Sequence, residues 1–526
     1  NAILTIATID TTDSATATGG ADTIYGNEGD DVIIGGVDSD TLTGNDANDV
    51  LIGDNVVIST LSNDTTVATY ASIKTEDVAL GANDTIYGNA GNDLILGGHD
   101  NDDIKGNAGN DVIVGDNGSI TTAAINAVVD IAEIAAADAQ DSDAGVDTIT
   151  GNTGDDVILG GLAGDTINGN EDRDVVVGDN GTITDIDNNA GVLTIAVIET
   201  SAQTLGGVDT ITGDAGDDIL IGGMAGDAIN GNAGNDVIFG DNAKLERFAH
   251  DGTQASYDNL ISQDLTLGAA DTIYGNAGNE LIIGGVDADK IYGGNSSTGA
   301  AISVNDKDVI FGDNGQILNA TIEATISIDT IQTIETATSL GGNDVIEGNE
   351  DDDIILGGLA DDDIVGNTGR DVILGDNGSL TTVANDGTIL TILKTATNSA
   401  ILGGVDMIAG NEADDVIFGG DVDDIISGDD ANDVIFGDNG EINVLYNDGS
   451  VATYASLIST DLGVGGIDTI NGNAGQDIVI AGAADDTVYG NTGNDVLVGD
   501  NADITDVSVN AILTIATIDT TDSATA

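Results

Sequence analysis

Aspartate recurs at every ninth residue along most of this chain, and carboxylates at so fixed a spacing are candidate ligands for a cation. The ladder runs Asp22, Asp31, Asp40, Asp49, then Asp84, Asp93, Asp102, Asp111, then Asp147, Asp156, Asp165, Asp174, then Asp209, Asp218, Asp227, Asp236. It resumes at Asp344, Asp353, Asp362, Asp371, at Asp406, Asp415, Asp424, Asp433, and at Asp468, Asp477, Asp486, Asp495. The fifth stretch departs: Asp271 is followed by Glu280 and Asp289, and ten extra residues around Asn295–Asn305 precede Asp308. Each stretch closes on Gly-Asp-Asn, which adds Asp54, Asp116, Asp179, Asp241, Asp313, Asp376, Asp438 and Asp500. Charge makes a cation necessary: 94 Asp and Glu face 9 Lys and Arg, a net −85 that the basic residues cannot neutralise. Metal cations are the candidates.

The same composition excludes other chemistry. Nucleic acid and anionic membrane both need a basic footprint, which is missing. No apolar run approaches the ~20 residues of a membrane span. There is no cysteine, so thiolate metal sites, disulfides and a cysteine nucleophile are out. No HExxH, GxSxG or DxDxDG pattern occurs, and an enzyme is not expected. An apolar fraction of 40% argues against an acidic disordered tail. His99 and His250 read as isolated surface residues, and the acids Asp30, Asp155 and Asp351 beside the ladder as solvated surface.

The elements that must position the ladder follow from its larger period. Modules of about 62 residues cover 19–80, 81–143, 144–205, 206–267, 268–340 (with the ten-residue insertion), 341–402, 403–464 and 465–526, after residues 1–18 as the end of a preceding insert. Residues 1–17, NAILTIATIDTTDSATA, recur unchanged as 510–526, so the eight modules read as one cycle of a longer tandem protein. Within each ladder the unit is G-[GN]-x-x-x-D-x-U-x with U an Ile, Leu or Val, as in GNAGNDVIV at 106–114. Helical periodicity is nearly absent, Ala123–Ala139 being the one candidate.

This nonapeptide resembles that of the repeats-in-toxin (RTX) family, G-G-x-G-x-D-x-U-x, in some thirty copies over about 300 of the 526 residues. The resemblance implies an all-β fold, a parallel β-roll or β-solenoid with calcium-binding turns. Two nonapeptides make one coil, so GN turns (Gly88-Asn89, Gly106-Asn107) stack on one edge and GG turns (Gly97-Gly98) on the other. The ladder carboxylates then serve Ca²⁺, an ion that takes ~6–8 oxygen ligands, with roughly two to three ions in each module. Position four of the GG copies, often Asp or Ala as at Asp38 and Ala163, departs from the family pattern and leaves their ligand set open. Glu280, longer than Asp, weakens its own site. The acids of Gly-Asp-Asn either cap the last ion or end the coil.

Position eight points inward on both sheets, as at Ile95, Ile104 and Ile113. Its neighbours point outward by strand alternation. They are apolar after GN turns (Leu94, Leu96, Val112, Val114) and mostly polar or small after GG turns (Thr41, Thr43, Asp103, Lys105). One outer face is therefore greasy and must be covered. The insert between ladders carries hairpin signals at Asn447-Asp448-Gly449, Asn385-Asp386-Gly387 and Asp251-Gly252. The preferred cover is this insert folded back as extra strands; a neighbouring chain is the alternative. What the resemblance implies for function is bacterial type I secretion and folding in extracellular calcium. The expected protein is the repetitive shaft of a secreted fibre, matrix filament or giant adhesin, partnered by calcium and by copies of itself end to end or side by side. A surface-layer subunit is the nearest alternative; the RTX region of a larger secreted enzyme and an ice-binding solenoid rank below it.

Overall fold

The computed structural model describes residues 4–11, 19–64, 67–76, 80–136, 144–189, 191–201, 204–294, 307–335, 341–398, 403–510 and 512–520. The segment of extra residues near 295–305 lies outside them. The chain divides into two compact units, Asn1–Asp258 and Asn259–Ala526. Every regular element among the described residues is a β-strand.

In the first unit the turns are joined by two stacks of parallel strands. Six-residue strands such as Thr41–Asp46, Thr85–Ala90, Asp103–Ala108 and Thr148–Thr153 pair in register, Leu42 against Ile86, Ile86 against Ile104, and Ile104 against Ile149. Three-residue strands, Val50–Ile52, Leu94–Leu96, Val112–Val114 and Val157–Leu159, form the second stack, with Leu51, Ile95, Ile113 and Ile158 aligned. Leu42, Ile86, Ile104, Leu51, Ile95 and Ile113 are all fully buried, so position eight fills the space between the stacks as its periodicity requires.

The apolar outer face of the short strands is covered by the inserts. Val112 and Val114 are only 1% and 0% exposed. Each insert is an antiparallel hairpin, for example Gly118–Ile125 with Val129–Ala136. The second strand of one insert pairs with the first strand of the next, Ala68–Thr75 with Gly118–Ile125 and Val129–Ala136 with Gly181–Asn189. This hairpin sheet lies directly on the short strands: a Cβ on Gly118 would fall 2.9 Å from Val114 Cγ1, and one on Gly181 would fall 3.3 Å from Val177 Cγ1. Ile120, Ala123, Ile131 and Ile134 close the interface. At about 1.5–3 kcal/mol for each large aliphatic buried, Ile120, Ile125, Val129, Ile131 and Ile134 make this insert a substantial part of the core.

The second unit repeats the plan. Val309–Phe311 pairs in parallel with Ile354–Gly358, and Val416–Phe418 with Val434–Phe436. Here rings fill the space between roll and hairpin: Phe418 and Phe436 stack at 4.7 Å, and a Cβ on Gly440, at the start of the hairpin Gly440–Asn447/Ala452–Ser459, would strike both.

Two expectations need correction. The helix candidate Ala123–Ala139 is strand, turn and strand through Ala136, the remainder lying outside the described residues. Ala123 and Ala136 are buried while their neighbours Ala124 and Ala135 are only half-buried, the alternation of a strand. The roll also does not stop at Gly-Asp-Asn: Val112–Val114 pairs with Val157–Leu159 on the far side of the insert, and the Gly115 N–H donates to the Leu159 carbonyl. The hairpin is a detour from a continuous coil.

Candidate metal centre

Backbone conformation explains the alternation of GN and GG. On one edge the second turn residue has φ between 61° and 85°, as in Asn89 (80°), Asn107 (79°) and Asn491 (61°). That is the left-handed region in which asparagine is the commonest residue after glycine. On the other edge φ lies between 104° and 128°, as in Gly36, Gly98 and Gly161. A Cβ on Gly98 would also run into the side chain of Asp54, and one on Gly161 into Asp116. Position four is left-handed on the GG edge too, in Asp38 (78°) and Ala163 (72°), so the departure from glycine leaves the turn shape intact.

These turns bring the ladder aspartates into two continuous columns. On the GN edge Asp49 Oδ1 accepts the N–H of Asp31 at 2.8 Å, Asp93 Oδ1 that of Asp49 at 2.7 Å, Asp111 Oδ1 that of Asp93 at 2.8 Å, and Asp156 Oδ1 that of Asp111 at 2.7 Å. On the GG edge Asp40, Asp84, Asp102 and Asp147 do the same for Asp22, Asp40, Asp84 and Asp102, at 2.7–2.8 Å. The inserts do not interrupt either column. The second oxygen is different. In Asp49, Asp84, Asp93, Asp102, Asp111 and Asp156, Oδ2 is buried without a hydrogen-bond partner, and the same holds in the second unit for Asp362, Asp371, Asp415 and Asp433. It converges with a main-chain oxygen: a Cβ on Gly88 would collide with Asp93 Oδ2 and meet the Gly106 carbonyl of the next coil, and one on Gly97 would strike Asp102 Oδ2 and the Gly115 carbonyl.

An unpaired buried carboxylate oxygen beside a carbonyl oxygen is unfavourable unless a cation lies between coils. Burial, reinforced by the neighbouring rungs, pushes the Asp93 carboxyl up to about 8 and that of Asp433 up to about 9; burial likewise raises Asp49 and Asp84 to about 7. Among the described residues no three His, Cys, Asp or Glu side chains gather at one point. A cation here therefore draws on single carboxylates and main-chain carbonyls, an all-oxygen set that fits Ca²⁺.

The comparison with known families agrees with this geometry. The family model of the RTX calcium-binding nonapeptide repeat (four copies) matches residues 10–42, 25–56, 78–113, 97–119, 141–176, 203–238, 266–297, 334–363, 356–379, 409–441 and 462–497, together more than half of the chain. The chain belongs to the RTX calcium-binding repeat family. No curated protein matches it. No helix among the described residues is long and apolar enough to cross a membrane.

Not every candidate ligand of this RTX chain has the same surroundings. Both carboxylate oxygens of Asp116 accept backbone N–H groups, from Gly145 at 2.7 Å across the neck of the insert and from Leu162 at 2.8 Å in the next coil. Asp179 does likewise with Gly207 and Met224, and Asp313 with Gly342 and Leu359. The aspartate of Gly-Asp-Asn thus pins the hairpin's two ends together. Asp22, at the first rung, and Asp500, in the final Gly-Asp-Asn, are exposed. Glu280 is out of line: a Cβ on Gly275 would meet its Cγ at 2.9 Å and Oε2 at 3.1 Å, so a methylene stands where other rungs place an oxygen. The main chain keeps the usual link, the Glu280 N–H donating to Asp308 Oδ1 at 2.8 Å.

A further column went unread in the sequence. Where it is Asn or Asp, the residue before a GN-edge aspartate accepts the N–H of its counterpart one coil on: Asn48 from Asn92 at 2.8 Å, Asn92 from Asn110 at 2.8 Å, Asn110 from Asp155 at 3.0 Å. It runs opposite in sense to the aspartate column. Its members also hold the hairpin tips, through Asn92 Nδ2 to the Asn126 carbonyl (2.9 Å) and Arg370 Nη1 to the Asn447 carbonyl (2.9 Å). Asp155 and Asp352, 8% and 6% exposed, pair with Arg173 and Arg370, so Asp155 is not solvated surface. His250 is 3% exposed and not a surface residue either: Nε2 faces Asp217 at 2.8 Å and Nδ1 faces Arg173 Nη1 at 2.7 Å. Because the guanidinium can only donate, Nδ1 accepts and the proton sits on Nε2. The missed signal was positional: Arg173, Lys307 and Arg370, three of only nine basic residues, occupy this one site of the repeat.

Proposed function

We propose that the chain is a calcium-stabilised extracellular structural protein of a bacterium, the repetitive shaft of a secreted fibre, matrix filament or giant adhesin. The observation that carries this reading is the double column of buried Oδ2 atoms, each beside a main-chain oxygen of the adjoining coil. Calcium is held by the ladder aspartates, with Glu280 outside the set, in the calcium-rich medium outside the cell, where RTX repeats are typically found. The unit of repetition is the 62-residue module, a pair of coils and one hairpin. The 509-residue recurrence supports a tandem array, because its two copies take the same part: Leu4–Asp10 pairs antiparallel with the insert strand Val56–Asn63, and Thr517–Thr520 with Ala502–Val509.

Far-UV circular dichroism and electron microscopy, with calcium and then with chelator, test the reading. A β spectrum and filaments that depend on calcium are expected. Filaments without calcium dependence overturn the calcium scaffold, and planar lattices in place of filaments overturn the shaft in favour of a surface layer.

A further inference from the structure

Four residues of the second unit break the pattern of their positions, on opposite sides of the same coils. On the open face of the hairpin sheet, Val444 takes the place held by Thr60, Thr122, Asp185, Asn319 and Asp506 in other hairpins. Leu393 takes the place held by Ala71, Ala132 and Ala455. The two lie across from one another, between the register pairs Ile392–Leu445 and Lys394–Asn443. On the outer face of the long strands, Met407 and Ile425, partners in register, take the place held by Thr85, Thr148, Thr166 and Thr210. All four side chains are about half exposed. Met407 and Ile425, with Val365, Ala409 and Ser427, line a shallow apolar groove of about 230 Å³. The roll lies between the two features. A Cβ on Gly440, in the strand of Val444, would strike Phe418 and Phe436, and the coils of those rings carry Met407 and Ile425 on the far side. A β-branched residue at φ 52° in solvent is a cost to stability, and strain of this kind is kept where it serves a function.

We propose that the Leu393–Val444 knob of one copy seats in the Met407–Ile425 groove of a second copy, hairpin face on roll face, so that copies stack side by side. The contact rests on the reading of the chain as a self-associating shaft and gives that association a site. Three features set the occupant. The two patches are alike in character and stand at one level of the chain, so stacked copies lie with their modules in step. Charge agrees: Lys394, one of nine basic residues, stands beside the knob with Glu441 at 2.6 Å, and the exposed Asp363 lines the groove. Over most of its surface a chain of net −85 would set acid against acid. The contact is also heterologous: a copy whose groove is filled still offers its knob, so the stack does not close and grows copy by copy. Two side chains on each partner fall far short of the ~800 Å² that each side of a standard interface buries, so one contact is weak. A tandem array repeats it once in every 509 residues and gains by multivalency.

The chain has no cysteine, so single introduced thiols report on the contact. Val444→Cys chains are mixed with Ile425→Cys chains in calcium and joined by a short bismaleimide, with Met407→Cys as a second groove probe. The mixed pair should join about tenfold faster than Val444→Cys with Thr210→Cys, whose thiol occupies the groove position of another module. Two Val444→Cys chains, or two Ile425→Cys chains, should join at the slower control rate. Adding Leu393→Ala, the residue of other hairpins, should return the mixed pair to that rate. Mixed pairs that join at the control rate from both groove positions overturn the proposal. Ile425→Cys chains that join one another fastest overturn it in favour of roll face on roll face. Far-UV circular dichroism of each variant, with calcium and with chelator, keeps the two readings apart. Loss of calcium dependence there counts against the calcium scaffold, whereas a calcium-dependent β spectrum with no preferred cross-link counts against this contact alone.

Discussion

Removing calcium at neutral pH and then acidifying should unfold the protein and fold it again. With its folded-state carboxyl at about 8 against an ordinary 3.8, Asp93 opposes folding by on the order of 4 kcal/mol at pH 7 when no cation is present. Asp433, at about 9, adds a similar amount. Two or three such groups equal the whole stability of a typical domain, about 5–15 kcal/mol, and the columns contain many more. The sign is fixed by the direction of the shift. A carboxyl raised on folding imposes no penalty below about pH 4, and an increasing one as the pH climbs through the folded-state values near 7–9. The chelated chain should therefore show β structure at pH 4, lose it between about pH 4 and 8, and be unfolded at pH 8. With calcium the order reverses, because protons compete for the same oxygens. The assay is far-UV circular dichroism across pH with and without chelator, with sedimentation velocity to separate folded monomer from acid aggregate. A chelated chain with equal β content and the same urea midpoint at pH 4 and pH 8 would refute the argument.

Asp93→Asn should raise stability in chelator at pH 7, since the amide keeps an oxygen for the Asp49 N–H without buried charge, and lower it in calcium; opposite shifts of the two urea midpoints are the check. Val444, a β-branched residue at φ 52° and 48% exposed, occupies the position held by Asn319 (φ 51°) in another hairpin, so Val444→Asn should stabilise by about 1 kcal/mol in thermal unfolding. Phe436→Ala should cost about 3–5 kcal/mol in calcium, by opening a cavity between roll and hairpin, with no change in calcium stoichiometry by isothermal titration. Arg370→Met leaves Asp352 buried without its partner and should cost about 3–5 kcal/mol, with faster amide exchange at Thr388 and Asn447 near the hairpin tip.

The parts of this architecture that were legible in the sequence repeat at short range. Ile104 and Ile113 could be placed inward, and Val112 and Val114 on a covered face, because strand alternation is a local rule. Asn447-Asp448-Gly449 announced its hairpin because the turn is a local object, Asp448 Oδ1 accepting the N–H groups of Ser450 and Val451. What stayed hidden lies in the stacking direction. Asp155 looks solvated until Arg173 arrives from the next coil, and His250 looks isolated until the hairpin folds back on Asp217. Asp116 looks like an end because its partners, Gly145 and Leu162, follow an insert of no fixed sequence. The alternation of Asn and Gly was visible as a pattern, but its cause is a difference of some 20–70° in φ that no residue type states outright.

Within each unit the hairpins, each paired to the next, form a second longitudinal member. Pulled along the stacking direction, a bare roll would resist only through the hydrogen bonds of its two parallel sheets and the ions at its edges. Here the hairpin sheet runs alongside, bonded from Ala68–Thr75 to Gly118–Ile125 and from Val129–Ala136 to Gly181–Asn189 without using an ion. Tension that separates two coils must shear this strip as well, so a passing drop in calcium slackens the edges while the strip keeps neighbouring coils in register.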